Sequence, residues 1–469
     1  MRHHDFENFP QGTTPHTTAP LDYLILALGL LLQPFTAQPI DLAGAIVSPL
    51  LALATGWFLW WWSRRMKLRY RWIALLLFAL SPILVHGTEL GRPDHQSLLM
   101  LLITVAICAD WSLHITPSRS WGLTSGFAWG MALWVSIYEP LILLFVVAGF
   151  YVVCDRQQFT NRSRRIGWIV LVVVVAIALS IERRVPHFPI LASDQVFRDW
   201  SHTIGELMPV RFADPIWFRW FGWLPIAMPF LLWVAARKGF VGAMRSEPDW
   251  HCRALPLIGA LLVVCYLLTL WQARWAYFFG IVFAIALPTL LESFKYRASV
   301  WVGFAISVFP ILQEWDSRLW PNESEFMRRT QTRREEMEWR ALAKEIRSNK
   351  TQAFLAPWWL SPAIAYWSEQ PGLAGSSHES LRGIEESARF YLTSDAQVAQ
   401  NILQRRCITW IFVYDSDRVL RNAAAILNAS IPNNALGKIM DRNPSRAPDF
   451  VQLKFQTGSG KLYGINQIP

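Results

Sequence analysis

Long apolar runs alternate with short polar loops through about the first two thirds of the chain. About ten of these runs are apolar enough for membrane-spanning helices, which need roughly 20 mostly apolar residues to cross a bilayer. They cover residues 40–62, 71–87, 96–113, 121–137, 140–154, 166–182, 216–236, 254–271, 275–292 and 299–313. An earlier run, 21–35, is too short for a full crossing and predicts an interfacial or re-entrant helix.

From residue 314 the pattern becomes that of a water-exposed domain. Residues 323–350 are charged, with apolar residues at helical spacing. Further helices are predicted at 396–405 and 423–427, and strands at 352–356, 408–414, 451–456 and 462–465. The predicted fold class is an α-helical polytopic membrane domain followed by a mixed α/β external domain. We expect a first external loop with a short helix (1–39), the membrane domain (40–313) and the external domain (314–469).

Composition and charge agree with a membrane protein. Hydrophobic residues make up 53% of the 469 residues, and Trp alone contributes 26. The net charge of +10 comes largely from basic loops at 63–71, 155–165 and 237–253, which alternate along the chain as the positive-inside rule requires of cytoplasmic loops. No nucleic-acid partner is therefore expected. The five cysteines have no paired spacing that would indicate a disulfide framework or a zinc site.

This topology places the remaining polar segments on the opposite, external face. They are Glu89–Gln96, Tyr138–Glu139, Arg183–Pro215, Trp271–Arg274 and everything after Leu312. All the residues that could carry chemistry lie in these segments, which makes the external face the predicted site.

Two acidic residues from distant loops are the first candidates. Carboxylates at a membrane margin are costly unless they are hydrated, paired or bound to a cation. Asp94 and Glu206 are each explained singly as solvated loop residues, but together on one face they predict a site for a divalent cation, which prefers oxygen ligands. His95 and Gln96 offer further nitrogen or oxygen ligands, whereas His202 reads as a polar loop residue.

A cation and an aromatic pair complete the candidates. Arg274 lies between two apolar runs, where snorkelling is the simple explanation. On the external face it would also suit a phosphate, through charge-assisted hydrogen bonds. Trp358 and Trp359 follow a predicted strand, and they indicate either packing or a platform for a peptide or sugar.

With these residues in place, the chain resembles the catalytic subunit of oligosaccharyltransferase and, more broadly, the GT-C class of membrane glycosyltransferases. Gly91–Gln96 (GRPDHQ) is similar to the family's second acidic motif, and Thr203–Glu206 (TIGE) matches its TIxE motif. Arg274 falls where the family has a basic residue for lipid pyrophosphate, and Trp358-Trp359 begins like the family's WWDYG motif.

The resemblance implies transfer of a glycan from a polyprenyl-pyrophosphate donor in the membrane lipid to the Asn side chain of an acceptor polypeptide. It implies a divalent cation, Mn²⁺ or Mg²⁺, held by Asp94, Gln96 and Glu206, with Asp94 and Glu206 catalytic. Arg274 would bind the donor pyrophosphate, and Glu206, Trp358 and Trp359 the acceptor. The implied location is a bacterial inner membrane with the C-terminal domain outside the cytoplasm.

Three departures from the family pattern qualify this expectation. The family begins with a membrane helix that ends in an acidic motif, whereas Met1 resembles a position in the loop after that helix. We expect either that translation starts further upstream or that the chain is a degenerate member. The WWDYG motif has become Trp-Trp-Leu-Ser-Pro at 358–362, which removes the Asp that would select Ser or Thr in the acceptor. Gln96 also replaces a stronger ligand.

Three alternatives remain open at this stage. One is a GT-C transferase that uses a lipid-phosphate sugar and an acceptor other than Asn, which the changed 358–362 motif favours. Another is a transporter of lipid-linked glycans, which would need ionisable groups within spans rather than in loops. The third is a non-catalytic scaffold, which the missing first motif favours.

Overall fold

The computed structural model describes residues 3–15, 19–183, 194–244 and 250–466. Parts of two loops discussed above, 184–193 and 245–249, lie outside these described residues. The described chain forms two compact units. The membrane unit contains residues 19–183, 209–244 and 250–320, and the C-terminal unit contains residues 3–15, 194–208 and 321–466.

The membrane unit is helical. The α-helices between residues 19 and 320 are, in chain order, α1 (Ala19–Leu32), α2 (Pro39–Arg65), α3 (Arg71–Leu80), α4 (Pro82–His86), α5 (His95–Ile115), α6 (Arg119–Val135), α7 (Tyr138–Cys154), α8 (Arg156–Thr160), α9 (Arg162–Glu182), α10 (Gln195–Ser201), α11 (Ile216–Phe221), α12 (Leu224–Met244), α13 (Trp250–Trp271), α14 (Ala276–Leu291), α15 (Arg297–Ser307) and α16 (Phe309–Leu319). Of these, α10 belongs to the C-terminal unit.

Five helical segments among the described residues are long and apolar enough to cross a membrane. They lie in α2, α5, α9, α13 and α14 with its preceding turn. The pair α15 and α16, bent by 43°, meets the same criteria when taken together, and α1, α3, α7 and the first part of α12 are shorter apolar helices. The predicted polytopic helical fold is therefore confirmed.

Three of the predicted runs each contain two helices, because a local residue interrupts them. The run 71–87 breaks before Pro82, and the carbonyl of Leu80 instead accepts a hydrogen bond from Trp315 Nε1 at 2.7 Å. The run 216–236 breaks at Gly222, whose φ of +63° and close approach to the Ser307 carbonyl exclude a side chain. The run 299–313 breaks at residue 308, immediately before α16, which has a proline in its first turn.

The core of the membrane unit surrounds α14, in which every residue from Ala276 to Leu291 is buried. The packing of α6 on α9 depends on small residues, as is common between membrane helices. A Cβ atom on Gly126 would lie only 2.1 Å from the Gly167 carbonyl oxygen, and one on Gly122 only 2.1 Å from that of Ser163. The four-residue spacing of Gly122, Gly126 and Gly130 is the signal for this packing in the sequence.

The C-terminal unit combines one sheet with several helices. Its remaining elements are α17 (Glu323–Glu345), α18 (Ser361–Ser368), α19 (Leu381–Leu392), α20 (Ala396–Arg405), α21 (Ser416–Leu427), α22 (Leu436–Arg442) and the strands β1 (Ala353–Leu355), β2 (Ile408–Val413), β3 (Val451–Thr457) and β4 (Gly460–Ile465). Four strands were predicted in these places, whereas α18, α19 and α22 were not predicted.

The sheet has the order β1-β2-β4-β3. Strands β1 and β2 are parallel and are joined by the crossover through α18, α19 and α20, as a parallel pair requires. Strands β3 and β4 form an antiparallel hairpin, whose turn uses Gly458 at φ +57°. The expected mixed α/β region is therefore confirmed.

Two segments distant in sequence complete the C-terminal unit. The Phe9 N–H donates to the Gly372 carbonyl at 3.2 Å, and the Gly372 N–H donates to the Phe6 carbonyl at 2.9 Å. The buried Arg406 guanidinium donates to the Phe9 carbonyl at 3.2 Å. From the second segment, α10 places Trp200 in the core of the unit. Residues 3–15 and 194–208 therefore belong to this unit through their contacts.

Candidate active site

The loop that carries Asp94 is fixed by backbone and side-chain hydrogen bonds. The Gly91 N–H donates to the Ala45 carbonyl in α2 at 2.8 Å, and Gly91 has φ +81°, a conformation that favours glycine. Asp94 is the N-cap of α5, because its Oδ1 accepts the Gln96 N–H at 3.0 Å. A carboxylate at this helix end is also favoured by the helix dipole.

The side chains of Arg92 and His95 lie beside the Asp94 carboxylate. The guanidinium of Arg92 lies 3.2 Å from Oδ2, and His95 Nδ1 lies 3.2 Å from Oδ1. Burial by itself raises the pKa of Asp94, but the His95 contact, the Gln96 N–H and the Arg92 charge together outweigh it and hold the pKa well below its usual range. Asp94 is therefore ionised at neutral pH, as a cation ligand must be.

Gln96 is buried in the first turn of α5. Within the described part of the chain, neither its Oε1 nor its Nε2 has a hydrogen-bond partner. A buried polar group left unpaired costs about 1–3 kcal/mol, so such groups often mark positions where a ligand or water binds. The sequence predicted Gln96 as a ligand, and that role stays a prediction.

Arg274 is held in the turn before α14 by a buried acid from another helix. Glu139, in the first turn of α7, is completely buried and forms an ion pair with the Arg274 guanidinium. Ser136 Oγ donates to Glu139 Oε2 at 2.7 Å. The guanidinium also lies over the Tyr138 ring, 5.7 Å from its centroid. Sequence analysis placed Glu139 on the external face but gave it no role.

His95 follows Asp94 directly in the sequence, and it lies in the neighbourhood of Glu139. The membrane unit therefore places the Asp94 loop in the neighbourhood of the Glu139–Arg274 ion pair, although these residues come from three separate segments of the chain.

Glu206, Trp358 and Trp359 belong to the C-terminal unit. Glu206 is half-buried in a short 3₁₀ turn, Gly205–Leu207, and the preceding Ile204 packs on the core of the unit. Thr203 Oγ1 donates to the Trp200 carbonyl at 2.7 Å, and the Trp200 ring contacts the Trp358 ring at a centroid distance of 5.5 Å. The residues before Glu206 thus anchor its loop. A shared site for Asp94 and Glu206 stays a prediction.

The two indole N–H groups of the Trp pair are engaged inside the C-terminal unit. Trp358 Nε1 donates to Asn422 Oδ1 at 3.0 Å, and Trp359 Nε1 donates to Tyr414 Oη at 2.8 Å. The rings line a cavity together with residues of α19 and α21. The predicted role of the pair in acceptor binding therefore rests on the ring faces rather than on the N–H donors.

The residues present fit a divalent cation of the kind that takes few protein ligands. Among the described residues, no group of three or more His, Cys, Asp or Glu side chains is arranged to hold a metal ion. Mg²⁺, however, is commonly held by one or two carboxylates, with water and substrate phosphate as the other ligands. Asp94 supplies an ionised carboxylate, and Gln96 an amide oxygen without a hydrogen-bond partner in the described chain.

In comparisons by sequence, no family model and no curated protein matches this chain. Comparison by structure does find matches. A crystal structure of the Archaeoglobus fulgidus oligosaccharyltransferase with Zn and sulfate has a TM-score of 0.62 at 14% identity, over 88% of this chain and 61% of that chain. AglB from the same organism, in complex with an inhibitory peptide and a dolichol-phosphate, has a TM-score of 0.62 at 13% identity, over 88% and 63%.

A bacterial structure is similar over a larger share of its own length. ArnT from Cupriavidus metallidurans, bound to undecaprenyl phosphate, has a TM-score of 0.52 at 12% identity, over 94% of this chain and 86% of that chain. This chain thus spans about six-tenths of the archaeal enzyme but most of the length of ArnT. The chain therefore has the fold shared by the archaeal oligosaccharyltransferase and ArnT, two membrane glycosyltransferases of the GT-C class, as the resemblance in sequence predicted.

Proposed function

We propose that this chain is a membrane glycosyltransferase, which transfers a glycan from a polyprenyl-linked donor to an acceptor on the external face of a bacterial inner membrane. The observation that carries the proposal is the cluster around Asp94 and Arg274. It combines an ionised carboxylate with a partly exposed guanidinium at the ends of apolar helices. Such a pair suits a substrate whose lipid chain lies in the membrane and whose phosphate lies at its surface.

The proposed reaction is a substitution at the anomeric carbon of the donor glycan. A bond forms from the acceptor nucleophile to this carbon while the bond from the carbon to the phosphate oxygen breaks. The electron pair of the broken bond leaves with the lipid phosphate, whose negative charge is stabilised by the Arg274 guanidinium. Glu206 binds the acceptor and takes up its proton. Asp94, Gln96 and Glu206 would hold Mn²⁺ or Mg²⁺, which when bound neutralises charge on the leaving group.

For the donor and acceptor, the resemblance in sequence supports a lipid pyrophosphate and the Asn side chain of a polypeptide. The TIGE sequence at Thr203–Glu206 matches the oligosaccharyltransferase motif in full. The archaeal neighbours, which were crystallised with acceptor and inhibitory peptides, have the same fold. Trp358 and Trp359 would contribute ring surfaces to the bound peptide.

A second candidate is transfer from a lipid-monophosphate sugar to an acceptor other than Asn. Two observations favour it. The indole N–H groups of Trp358 and Trp359 already donate to Asn422 and Tyr414, so they are engaged before any acceptor binds. The fold also matches most of the length of ArnT, which was crystallised with undecaprenyl phosphate.

The two candidates differ in the lipid product, and this difference provides the test. The full chain is purified in detergent and incubated with Mn²⁺ in two assays. The first contains a polyprenyl-pyrophosphate glycan and an Asn-x-Ser/Thr peptide. The second contains a polyprenyl-monophosphate sugar and candidate lipid acceptors. Transfer with release of polyprenyl pyrophosphate supports the first candidate, and transfer with release of the monophosphate supports the second.

Site variants then connect the activity to the proposed residues. We expect Asp94→Asn, Glu206→Gln and Arg274→Gln each to lower kcat by about 100-fold or more, as the loss of a group that stabilises transition-state charge does. Arg219→Gln, which changes an exposed arginine of the same unit, is the control and should keep full activity. Absence of transfer from both donors, or full activity in all three site variants, would overturn the proposed function.

A further inference from the structure

The ion pair between Glu139 and Arg274 has one hidden and one accessible member. Glu139 is completely buried, while the Arg274 side chain is 21% exposed. Because no part of Glu139 reaches the surface, a bound donor can contact Arg274 but not Glu139. Glu139 can therefore influence how the donor is positioned through Arg274, while its charge acts on the donor only at a distance.

Each carboxylate oxygen of Glu139 faces a polar partner. Oε2 accepts the Ser136 hydroxyl at 2.7 Å, and Oε1 faces the Arg274 guanidinium. Burying an isolated carboxylate is so costly that it persists only with partners of this kind. The pairing also determines where the guanidinium points, since an arginine side chain otherwise has several rotatable bonds.

The Arg274 guanidinium also lies near an aromatic ring that is itself held in place. The Arg274 guanidinium lies 5.7 Å from the centroid of the Tyr138 ring, and the Tyr138 hydroxyl donates to Gln272 Oε1 at 3.2 Å. Within the described chain, Arg274 Nε has no hydrogen-bond partner. The group is therefore restrained by an acid and a ring while part of its side chain stays exposed.

We propose that Glu139 is a positioning residue, which holds the Arg274 guanidinium in the orientation that binds the donor phosphate. This inference rests on the proposed function and adds to it a residue that contacts neither substrate nor cation. Glu139 restrains Arg274 before the donor arrives, so that the stabilisation of the leaving group requires no reorganisation of the side chain.

Loss of the Glu139 charge and loss of its hold on Arg274 change different kinetic constants, which makes the inference testable. Glu139→Gln removes a negative charge near the phosphate, so the KM for the donor should stay the same or fall. It also releases the guanidinium, and misplacement of a catalytic group by about 1 Å can cost a factor on the order of 100. We therefore expect kcat to fall by about 10- to 100-fold without a rise in KM. A merely structural role would lower the amount of folded enzyme and leave the KM and the kcat per folded molecule unchanged.

The decisive experiment is a double-mutant cycle measured on the full chain. Glu139→Gln, Arg274→Gln and the double variant are compared in the transfer assay and in thermal unfolding. If Glu139 acts only through Arg274, Glu139→Gln should cause no further loss of kcat in the Arg274→Gln background. The double variant should also unfold at a higher temperature than Arg274→Gln, which leaves a buried carboxylate without its counter-ion.

The outcomes separate the two proposals. Glu182→Gln, at another buried carboxylate of the same unit, is the control and should leave kcat and KM unchanged. Absence of transfer by the unaltered chain would overturn the proposed function, whereas full activity in Arg274→Gln alone would overturn the positioning role of Glu139. If Arg274→Gln loses activity, two outcomes overturn the positioning role of Glu139. In one, the losses of kcat in the two single variants multiply in the double variant. In the other, the double variant is no more stable than Arg274→Gln.

Discussion

The buried ion pair between Asp110 and Arg164 provides a strong test of how charge stabilises the membrane unit. Asp110 in α5 is 1% exposed and Arg164 in α9 is 4% exposed, with 2.8 Å between Oδ1 and Nη1. Ser125 Oγ and Trp129 Nε1 from α6 each donate to the same carboxylate at 2.8 Å. The guanidinium lies 3.8 Å from the centroid of the Tyr151 ring in α7. The pair therefore connects four helices.

The geometry sets the size of the expected effect. At this separation and an effective dielectric constant of about 20, two unit charges attract by about 6 kcal/mol, part of which offsets the loss of hydration of both groups. Asp110→Asn removes the counter-ion and leaves the Arg164 charge buried, which is expected to cost about 3–5 kcal/mol of unfolding free energy. The double variant Asp110→Asn/Arg164→Met removes both charges and should be more stable than Asp110→Asn.

An exposed ion pair with a similar separation is the control. Arg442 and Asp417 lie 2.7 Å apart, but their side chains are 50% and 64% exposed. Asp417→Asn should therefore cost only about 0–1 kcal/mol. The measurement is denaturant unfolding of the full chain in detergent micelles, followed by circular dichroism. If Asp110→Asn costs no more than Asp417→Asn, or if the double variant is the least stable, burial does not control the strength of this pair and the reasoning is refuted.

Three further predictions concern packing, pH and the Trp pair. Gly126→Val should prevent α6 from approaching α9 and destabilise the membrane unit, whereas Gly149→Val, at a position with open space around it, should have little effect on thermal unfolding; equal effects would contradict this packing argument. Burial raises the pKa of the Glu7 carboxyl above 4.5, although the Ser377 hydroxyl opposes this. The stability that Glu7 contributes is thus present at low pH and is lost as the pH rises through the folded-state pKa, so Glu7→Gln should slow proteolysis of residues 3–15 near neutral pH and leave it unchanged near pH 4. An equal effect of Glu7→Gln at both pH values would contradict the shift. Tyr414→Phe removes the acceptor of the Trp359 N–H and should cost about 1–3 kcal/mol in denaturant unfolding, while Tyr366→Phe, at an exposed tyrosine of the same unit, should cost less than Tyr414→Phe. Equal losses in these two variants would show that the Trp359 hydrogen bond contributes little.

The sequence by itself determined the architecture of this protein, because the features that set it are local. Apolar runs of membrane length, basic loops that alternate along the chain and short apolar strands such as Ile408–Val413 each depend on neighbouring residues only. For the same reason the candidate residues Asp94 and Glu206 could be found in polar loops beside apolar runs. Helix breaks were less visible, because Gly222 is recognised as a break only by its contact with Ser307.

The tertiary structure alone decided which side chains meet. Glu139 and Arg274 are far apart in the chain, and no local pattern in the sequence indicates that the acid of α7 would hold the cation before α14. The same is true of the Phe9 segment, which pairs with Gly372 in the C-terminal unit. Such contacts form because burial in a shared core leaves each polar group with only a few partners that can satisfy it, and those partners are selected by the packing of whole helices.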